Sequence, residues 1–347
     1  MESLKYSMPL LPFLHAVTER RDLSAAEAQQ AMSAILEGET STPQIAAFLV
    51  ALRMKGETAA ELAGFARAMR ARVTRVDAGG GVVLDTCGTG GDGAGTFNVS
   101  TIAALVAAGA GVKVAKHGNR SISSRSGSAD VLEALGVRLQ MAAADMSRAL
   151  HEIGIAFLFA PALHPAMKHA QPARLELKMR TVFNLLGPMA NPAGATAQLI
   201  GAPSEKAAAL MAEALAGLGG VRGYVVHGEG GLDEVSTIGE TVVFEIGGGR
   251  LRWTPEDFGV ARARLEDLRG EDAATNARIA RKVLEGRAGP ARDLVLVNAA
   301  AALMAAGVEK AMETARESID SGAARRKLDQ LVEITNESIG GQTGGGV

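Results

Sequence analysis

The stretch Asp85–Thr101 contains residue types that bind phosphate, in the arrangement of a phosphate loop. It holds five glycines and follows a short apolar run, Val82–Leu84, which predicts a buried strand. The run Ile102–Gly109 that comes after it has the composition and length of a helix. Backbone N–H groups of a glycine-rich turn between a strand and a helix can surround an anion, and the helix N-terminus adds about half a positive charge. We therefore predict a phosphate-binding loop at this position.

A second candidate phosphate loop follows the next predicted strand. The glycines at 88, 90 and 93 fit the dinucleotide fingerprint, but that kind of site needs an Asp or Glu about 20 residues further on. The sequence has the basic run Lys116–Arg120 there instead. A Walker loop is excluded because no Gly-Lys-Ser/Thr ends the glycine run. Two such loops, on strands that we expect to be neighbours, predict one ligand with phosphates at both ends.

Composition narrows the class of protein. The 347 residues are 47% apolar and 21% charged, which predicts a soluble globular protein of two domains. A formal net charge of −2 gives no overall field that would attract nucleic acid. We see no signal peptide and no membrane span, and a single cysteine, Cys87, excludes an internal disulfide. We therefore expect a cytoplasmic location, and we interpret Cys87 as a packing residue rather than a nucleophile.

Helix signals fill the first seventy residues, and strands follow them. Capping-box spacing at Ser24–Glu27 and Thr58–Glu61, and Thr42 as a cap before a proline, predict helices at 9–20, 24–37, 43–55 and 58–72. A glycine-rich linker at 77–81 precedes the strands, which we predict at 82–86, 112–116, 155–159, 198–202, 223–227 and 241–246. Helical stretches separate many of them, so the fold class is α/β, a mostly parallel sheet flanked by helices, with a smaller all-helical domain.

Seven motifs together resemble the anthranilate phosphoribosyltransferase family, in the expected order from about residue 10 to about residue 335. They are GTGGD at 88–92, NVST at 98–101, KHGNRSISS at 116–124, FAPALHPAMKH at 159–169, RTVFNLLGPMANP at 180–192, GLDE at 231–234 and NAAAAL at 298–303. The resemblance implies transfer of a phosphoribosyl group from 5-phosphoribosyl 1-pyrophosphate to anthranilate, in tryptophan biosynthesis. Two alternatives remain open at this point, a pyrimidine nucleoside phosphorylase and a nucleic-acid-binding relative without activity.

The motif matches assign residues to the phosphoribosyl pyrophosphate. We expect it to be bound by Gly88, Gly91, Asp92, Thr96, Asn98, Ser100, Thr101, Lys116, Arg120, Ser121, Ser123, Ser124 and Ser128. Negative charge grows on the leaving pyrophosphate, so Lys116 should stabilise it electrostatically, together with Mg²⁺. Ser100, Asp233 and Glu234 are the expected metal ligands. No residue is assigned as a catalytic acid or base, because a neutral aromatic amine already carries its lone pair at pH 7.

A second set matches the anthranilate side of the family. It consists of Gly88, His117, Asn119, Ala160, Pro161, His164 and Arg174. The planar guanidinium of Arg174 suits a carboxylate, although spacing alone would favour a surface salt bridge. At position 178 the family commonly has glycine, and this chain has lysine. Lysine adopts left-handed backbone angles less easily, so we expect altered local geometry near Arg174.

The resemblance also implies how the domains are divided. Residues 1–75 and about 165–190 should form the small helical domain, through which two chains dimerise. Residues 80–164 and 191–338 should form the α/β domain that binds phosphoribosyl pyrophosphate. The glycine-rich tail at 339–347 is expected to be disordered. The predicted partners are small-molecule substrates and a second copy of the chain, with neither nucleic acid nor membrane.

Overall fold

The structure, a computed structural model, describes residues 8–90, 93–121 and 125–337. Four residues assigned above to phosphoribosyl pyrophosphate, Gly91, Asp92, Ser123 and Ser124, lie outside the described residues, as does the tail at 339–347. Within the described residues the α-helices are α1 (Leu11–Thr18), α2 (Ala25–Leu36), α3 (Thr42–Lys55), α4 (Ala59–Arg70), α5 (Val99–Gly109), α6 (Ser128–Ala134), α7 (Ala143–Glu152), α8 (Ala160–Leu163), α9 (Gln171–Leu177), α10 (Phe183–Leu186), α11 (Glu205–Leu218), α12 (Ala273–Leu284), α13 (Pro290–Ala305), α14 (Ala311–Asp320) and α15 (Ala323–Glu337).

One sheet joins all the strands of the described residues. The strands are β1 (Val83–Asp85), β2 (Lys113–Gly118), β3 (Ile155–Phe159), β4 (Ala197–Gly201), β5 (Arg222–Gly228), β6 (Thr241–Glu245) and β7 (Arg250–Trp253). Their order is β3-β2-β1-β4-β5-β6-β7; the first five pair in parallel, and the last two pairings are antiparallel. The predicted fold class, a mostly parallel sheet flanked by helices with a smaller helical part, is confirmed.

All six predicted strands are present, and among the strands of the described residues β7 alone was not predicted. That strand is short, lies at the sheet edge and is mostly exposed, with two arginines. It therefore lacks the apolar alternation that marks a half-buried strand. Trp253 ends it and packs edge-on against Tyr224, with ring centroids 4.9 Å apart.

The N-terminal helices begin where the capping signals predicted. Ser24 and Thr58 each accept a hydrogen bond from the backbone N–H three residues later, at Glu27 and Glu61. The prediction of Thr42 as a cap was wrong by one residue. Ser41 is the N-cap of α3, and its N–H donates to Gln44 Oε1 at 3.2 Å. Gln44 thus accepts the N–H of the cap residue, as in a capping box.

Two apolar cores stabilise the molecule. The larger one surrounds the sheet, with the largely buried helices α5 and α13 packed together near its centre. The smaller one joins α1–α4 with residues from 170–190 and with α11. The chain therefore returns from the sheet to the N-terminal helices, as a helical domain made of two chain segments requires. The boundaries of that domain and its role in dimerisation stay predictions.

Candidate active site

The two predicted phosphate loops lie side by side at one edge of the sheet. β1 ends at Asp85, just before the glycine loop, and β2 ends at Gly118, within the basic run. The two strands pair in parallel, with Val83 opposite Lys113 and Leu84 opposite Val114. Because parallel strands end at the same edge, the loops that follow them face a common space. The expected neighbourhood of the two strands is confirmed.

The acidic loop at 231–234 reaches the glycine loop from the neighbouring strands. Asp233 Oδ2 accepts a hydrogen bond from the N–H of Gly90 at 3.0 Å. The N–H of Thr89 donates to the carbonyl of Gly201, the last residue of β4, at 2.9 Å. An aspartate is thus held against the turn where the anion was predicted, and a divalent cation beside it would balance the charge of both.

Glu234 lies at the start of α5. Its Oε1 accepts a hydrogen bond from the N–H of Ser100 at 3.3 Å, at the positive end of the helix dipole. The adjacent carboxylates of Asp233 and Glu234 thus contact the glycine loop at Gly90 and the start of α5 at Ser100. Two carboxylates and a hydroxyl are hard oxygen donors, the set that Mg²⁺ prefers. These residues fit a magnesium ion, and their role as ligands stays a prediction.

Lys116 is buried beneath this cluster. Its Nζ donates to the carbonyl and the Oγ1 of Thr86, each at 3.2 Å, and to Ser100 Oγ at 3.3 Å. The ammonium group therefore contacts one of the expected metal ligands. This position fits a point charge that stabilises a leaving phosphate.

Asp85 is the buried residue at the centre of the site whose importance the sequence analysis missed. One carboxylate oxygen accepts the N–H of His117 at 3.1 Å and the other accepts Asn191 Nδ2 at 2.7 Å. Burial raises the pKa of Asp85 to about 6, against the opposing effects of Lys116 and these hydrogen bonds. The carboxylate ties the ends of β1 and β2 to the segment that returns from the helical part. A carboxylate at the end of an apolar strand was the signal that could have indicated it.

Cys87 is not a nucleophile here. Burial raises the pKa of its thiol well above the usual range, so the thiolate is not available. Asp85, Cys87 and His117 each place one potential ligand atom within 4.8 Å of the others. The oxygens of Asp85 already accept hydrogen bonds, however, and both ring nitrogens of His117 are engaged. We interpret this group as packing and not as a metal centre.

His117 and His164 form a neutral pair with a fixed direction of hydrogen bonding. His117 Nδ1 lies 3.1 Å from the carbonyl of Gly187, so this nitrogen carries the proton. His117 Nε2 must then accept, and His164 Nε2, 3.1 Å away, donates to it. Burial lowers the pKa of His117 to about 3 and that of His164 to about 4. His117 thus has no free nitrogen for proton transfer, which agrees with an orienting role.

Acid should destabilise the fold through this histidine pair. Their pKa values lie below the free value of 6.5, so the unfolded chain gains two protons as the pH falls and the folded chain does not. Asp85, raised from 3.8 to about 6, acts oppositely and gives the folded state one proton. The contribution of the histidine pair to the free energy of unfolding is fully present above their free pKa of 6.5. Between about pH 6 and 4.5 the free energy of unfolding should fall by about 1.4 kcal/mol per unit, for one net proton.

Urea unfolding at several pH values measures this slope. His164→Gln keeps a donor for His117 and removes one titrating group, so its slope should be nearly flat over the same range. A wild-type slope in that variant would contradict the neutral pair.

The second phosphate loop is held by acidic residues of α6. Arg120 pairs with Asp130 and Glu133, with N–O distances of 2.9 and 2.8 Å. Asp130 Oδ2 also accepts the N–H groups of Ser121 and Gly127, at 3.1 and 2.8 Å. Gly127 is the N-cap of α6, and its N–H is one of the two that the Asp130 carboxylate accepts.

Ser128 is the first residue of α6, and its hydroxyl donates to the carbonyl of Asn119 at 3.3 Å. The Oδ1 of Asn119 accepts the N–H of Arg120 at 2.7 Å. These side chains of the basic loop therefore bond to the loop itself and to α6. The phosphate-binding roles of Arg120, Ser121 and Ser128 stay predictions.

Hydrogen bonds to distant residues, which the sequence did not indicate, hold the start of α5. Asn98 is its N-cap; its Nδ2 donates to the carbonyl of Ser126 at 3.1 Å, and its Oδ1 accepts Asn276 Nδ2 at 3.0 Å. Thr96 pairs with Arg269 as an isolated β-bridge. Thr101 is buried, and its hydroxyl has no hydrogen-bond partner among the described residues. Arg269, the partner of Thr96, and Asn276, the partner of Asn98, are each about 175 positions away in the sequence, so no local pattern could reveal them.

Four of the residues expected at the anthranilate side lie after β3, in and around α8 and in α9. Ala160 and Pro161 begin α8 directly after β3, and His164 follows that helix. The guanidinium carbon of Arg174 lies 5.2 Å from the ring centroid of Phe183, and burial lowers the pKa of this arginine. In the ranges that the structure describes, Arg174 forms no ion pair, so the surface salt bridge is not what is found. Its orientation toward a carboxylate stays a prediction.

Lys178 ends α9 in the left-handed conformation, with φ 47° and ψ 34°. A glycine would adopt these angles without strain, whereas another residue incurs about 1–2 kcal/mol. The lysine therefore strains the helix end near Arg174 but does not prevent the turn. Two residues on, Arg180 Nη2 lies 3.5 Å from Thr89 Oγ1, so this segment reaches the glycine loop.

Comparisons with known proteins agree with this geometry. Family models described as "Glycosyl transferase family, helical bundle domain" and "Glycosyl transferase family, a/b domain" match residues 11–73 and 80–325. The chain is 59% identical to an anthranilate phosphoribosyltransferase of Solibacter usitatus over 94% of this chain and 99% of that protein. It is 53% identical to one of Moorella thermoacetica, over 91% and 95%.

The chain belongs to the anthranilate phosphoribosyltransferase family.

Solved structures of the family have the same fold. The enzyme of Thermus thermophilus superposes with a TM-score of 0.89 at 47% identity, covering 93% of this chain and 99% of that chain. The enzyme of Saccharomyces cerevisiae, in complex with phosphoribosyl pyrophosphate and Mg, superposes with a TM-score of 0.88 at 31% identity, covering 94% and 98%. Another structure of the yeast enzyme contains 4-fluoroanthranilate. In the described part of this chain, no helix is both long and apolar enough to cross a bilayer.

Proposed function

We propose that this chain transfers the 5-phosphoribosyl group of 5-phosphoribosyl 1-pyrophosphate to the amine of anthranilate, with Mg²⁺, in tryptophan biosynthesis. The supporting observation is the contact of Asp233 and Glu234 with the glycine loop and the start of α5. The bond from C1 of the ribose to pyrophosphate breaks, the amine nitrogen bonds to C1, and the amine loses a proton. Family membership favours this reaction over nucleoside phosphorolysis and over nucleic-acid binding.

The residues of the chain provide position and charge. Ser100, Asp233 and Glu234 would hold the Mg²⁺, which when bound neutralises charge on the pyrophosphate. The backbone of the glycine loop would bind the phosphate oxygens, and Lys116 would add a charge beside Ser100, 3.3 Å away. The neutral ring of His117 would orient anthranilate. The amine then attacks C1 directly from its bound position.

A coupled assay tests the proposal. Purified protein is mixed with phosphoribosyl pyrophosphate, anthranilate and Mg²⁺, and the loss of anthranilate fluorescence is followed together with pyrophosphate release. Both should proceed in equal amounts. Phosphorolysis of thymidine or uridine without anthranilate turnover would overturn the proposal, as would tight DNA binding without pyrophosphate release.

Replacing Arg174 by Ala should raise the KM for anthranilate by about 10- to 100-fold, because a charge-assisted hydrogen-bonded pair contributes about 1.5–3 kcal/mol. Steady-state kinetics with each substrate varied in turn measures this. Arg21→Ala is the matched control, since Arg21 is exposed and pairs only on the surface with Glu27. An effect confined to phosphoribosyl pyrophosphate would contradict the assignment of Arg174.

We also propose that two chains associate through the helical domain, made of residues 1–75 and about 165–190, in the cytoplasm. Met8, Met54, Leu175 and Met179 support the dimer, because they are large apolar side chains exposed on this part of the chain. Light scattering should give twice the mass of one chain; the mass of a single chain would contradict the dimer.

A further inference from the structure

The two acidic residues, Asp233 and Glu234, lie between two points of their loop that are fixed by hydrogen bonds. Before them, Gly228 and Leu232 exchange backbone hydrogen bonds at 2.9 and 3.1 Å. After them, the backbone of Val235 is bound on both its N–H and its carbonyl. Only Asp233 and Glu234 lie between these points, so their placement depends on both.

Asn298 of α13 makes the second of these fixed points. Its Oδ1 accepts the N–H of Val235 at 2.8 Å, and its Nδ2 donates to the carbonyl of Val235 at 2.9 Å. The second Nδ2 proton goes to the carbonyl of Leu294, one turn back on α13, at 2.9 Å. Only this orientation of the amide satisfies one N–H and two carbonyls, so the side chain has a single arrangement.

The surroundings of Asn298 give it no other reason to be polar. It is fully buried in a helix whose residues from 294 to 303 are otherwise apolar and buried. Burying an amide in such a helix is costly unless it is hydrogen-bonded, and Leu would pack there and form a better helix. The hydrogen bonds of the amide to Val235, next to Glu234, offset the cost of burying it.

We propose that Asn298 is a positioning residue for the acidic pair and thereby sets the affinity of the site for its divalent cation. By fixing Val235 it holds the carboxylate of Asp233 at Gly90 and that of Glu234 at Ser100. This inference rests on the proposed function, because it takes the acidic pair as the metal ligands. Nothing in it requires Asn298 to touch the metal or the substrates.

Two variants test the inference. Asn298→Ala removes all three side-chain hydrogen bonds. Asn298→Ser is milder, since a serine can still bond to the carbonyl of Leu294 but is too short to reach Val235. Mn²⁺ binding is measured by electron paramagnetic resonance with phosphoribosyl pyrophosphate present and anthranilate absent, so that no turnover occurs. Both variants should bind Mn²⁺ about 10- to 100-fold more weakly, the usual effect of losing a group that orients metal ligands.

The control is Ser318→Ala, which removes a buried hydrogen bond to the carbonyl of Val106 at the opposite end of α5. It should lower the melting temperature and leave the Mn²⁺ affinity unchanged. The KM for anthranilate should stay at the wild-type value in all three variants. If Asn298→Ala does not fold, Asn298→Ser decides the question.

A folded Asn298 variant with wild-type Mn²⁺ affinity would overturn the positioning role, and so would a rise in the KM for anthranilate alone. The proposed function fails separately, when the wild-type protein itself releases no pyrophosphate in the presence of anthranilate.

Discussion

Replacing Asp233 by Asn together with Glu234 by Gln will abolish magnesium-dependent turnover while the fold stays intact. The amides have the shape of the carboxylates, and their oxygens can still accept the N–H groups of Gly90 and Ser100. They lack the two negative charges that a divalent ion needs. Because losing even one preorganised electrostatic group costs about 10²–10³ in rate, the double variant should lose about 10³-fold or more.

The measurement is the rate as a function of Mg²⁺ concentration, with circular dichroism to confirm folding. A matched control is Glu256→Gln with Asp257→Asn, which also removes two adjacent charges, from two exposed residues of a 3-10 helix. The control should keep the wild-type rate. Wild-type turnover in the Asp233 and Glu234 variant would remove those residues from the mechanism.

Gly201→Ala should disable the site by displacing the acidic loop. A Cβ built on Gly201 would lie 1.5 Å from the carbonyl oxygen of Asp233, and ordinary contacts begin near 3.4 Å. The loop would have to move by about 2 Å, and a misplacement of about 1 Å can cost about 10² in rate. The loss of kcat/KM should therefore be about 10²-fold or more.

Gly217→Ala is the control for this substitution. Gly217 lies in α11, and a Cβ there meets nothing within 4 Å. Alanine is the better helix former, so in this last turn of α11 it should stabilise the protein by at most about 0.5–1 kcal/mol and leave the rate unchanged. Gly201→Ala with wild-type kcat/KM and wild-type dependence on Mg²⁺ would contradict the close approach of the two loops.

Features with a local signal could be predicted from the sequence. The capping boxes at Ser24 and Thr58 need only four consecutive residues, and the glycine loop is recognisable from its position between a predicted strand and a predicted helix. The buried strands β3 and β4 are short, mostly apolar runs, so their positions followed from composition. Motif resemblance added the crossing segment near 165–190, which no periodicity indicated.

Features that depend on distant contacts could not be predicted. Asn298 lies 63 positions from Val235, and Asn276 lies 178 from Asn98, so only the folded chain brings them together. A carboxylate at the end of the first strand could be read from the sequence, but the hydrogen bonds of Asp85 to residues 117 and 191 could not. Lys178 shows the opposite limit: the local preference of a lysine opposes the left-handed conformation that this residue adopts at the end of α9.

Calorimetric titration of the wild-type protein with phosphoribosyl pyrophosphate, with and without Mg²⁺, tests the central claim most directly. The claim is that two phosphate loops and an acidic pair bind one doubly phosphorylated sugar through a divalent ion. Saturable binding with Mg²⁺ and binding at least about 10-fold weaker without it are the expected results. Equal affinity in both titrations, or no binding in either, would contradict the account.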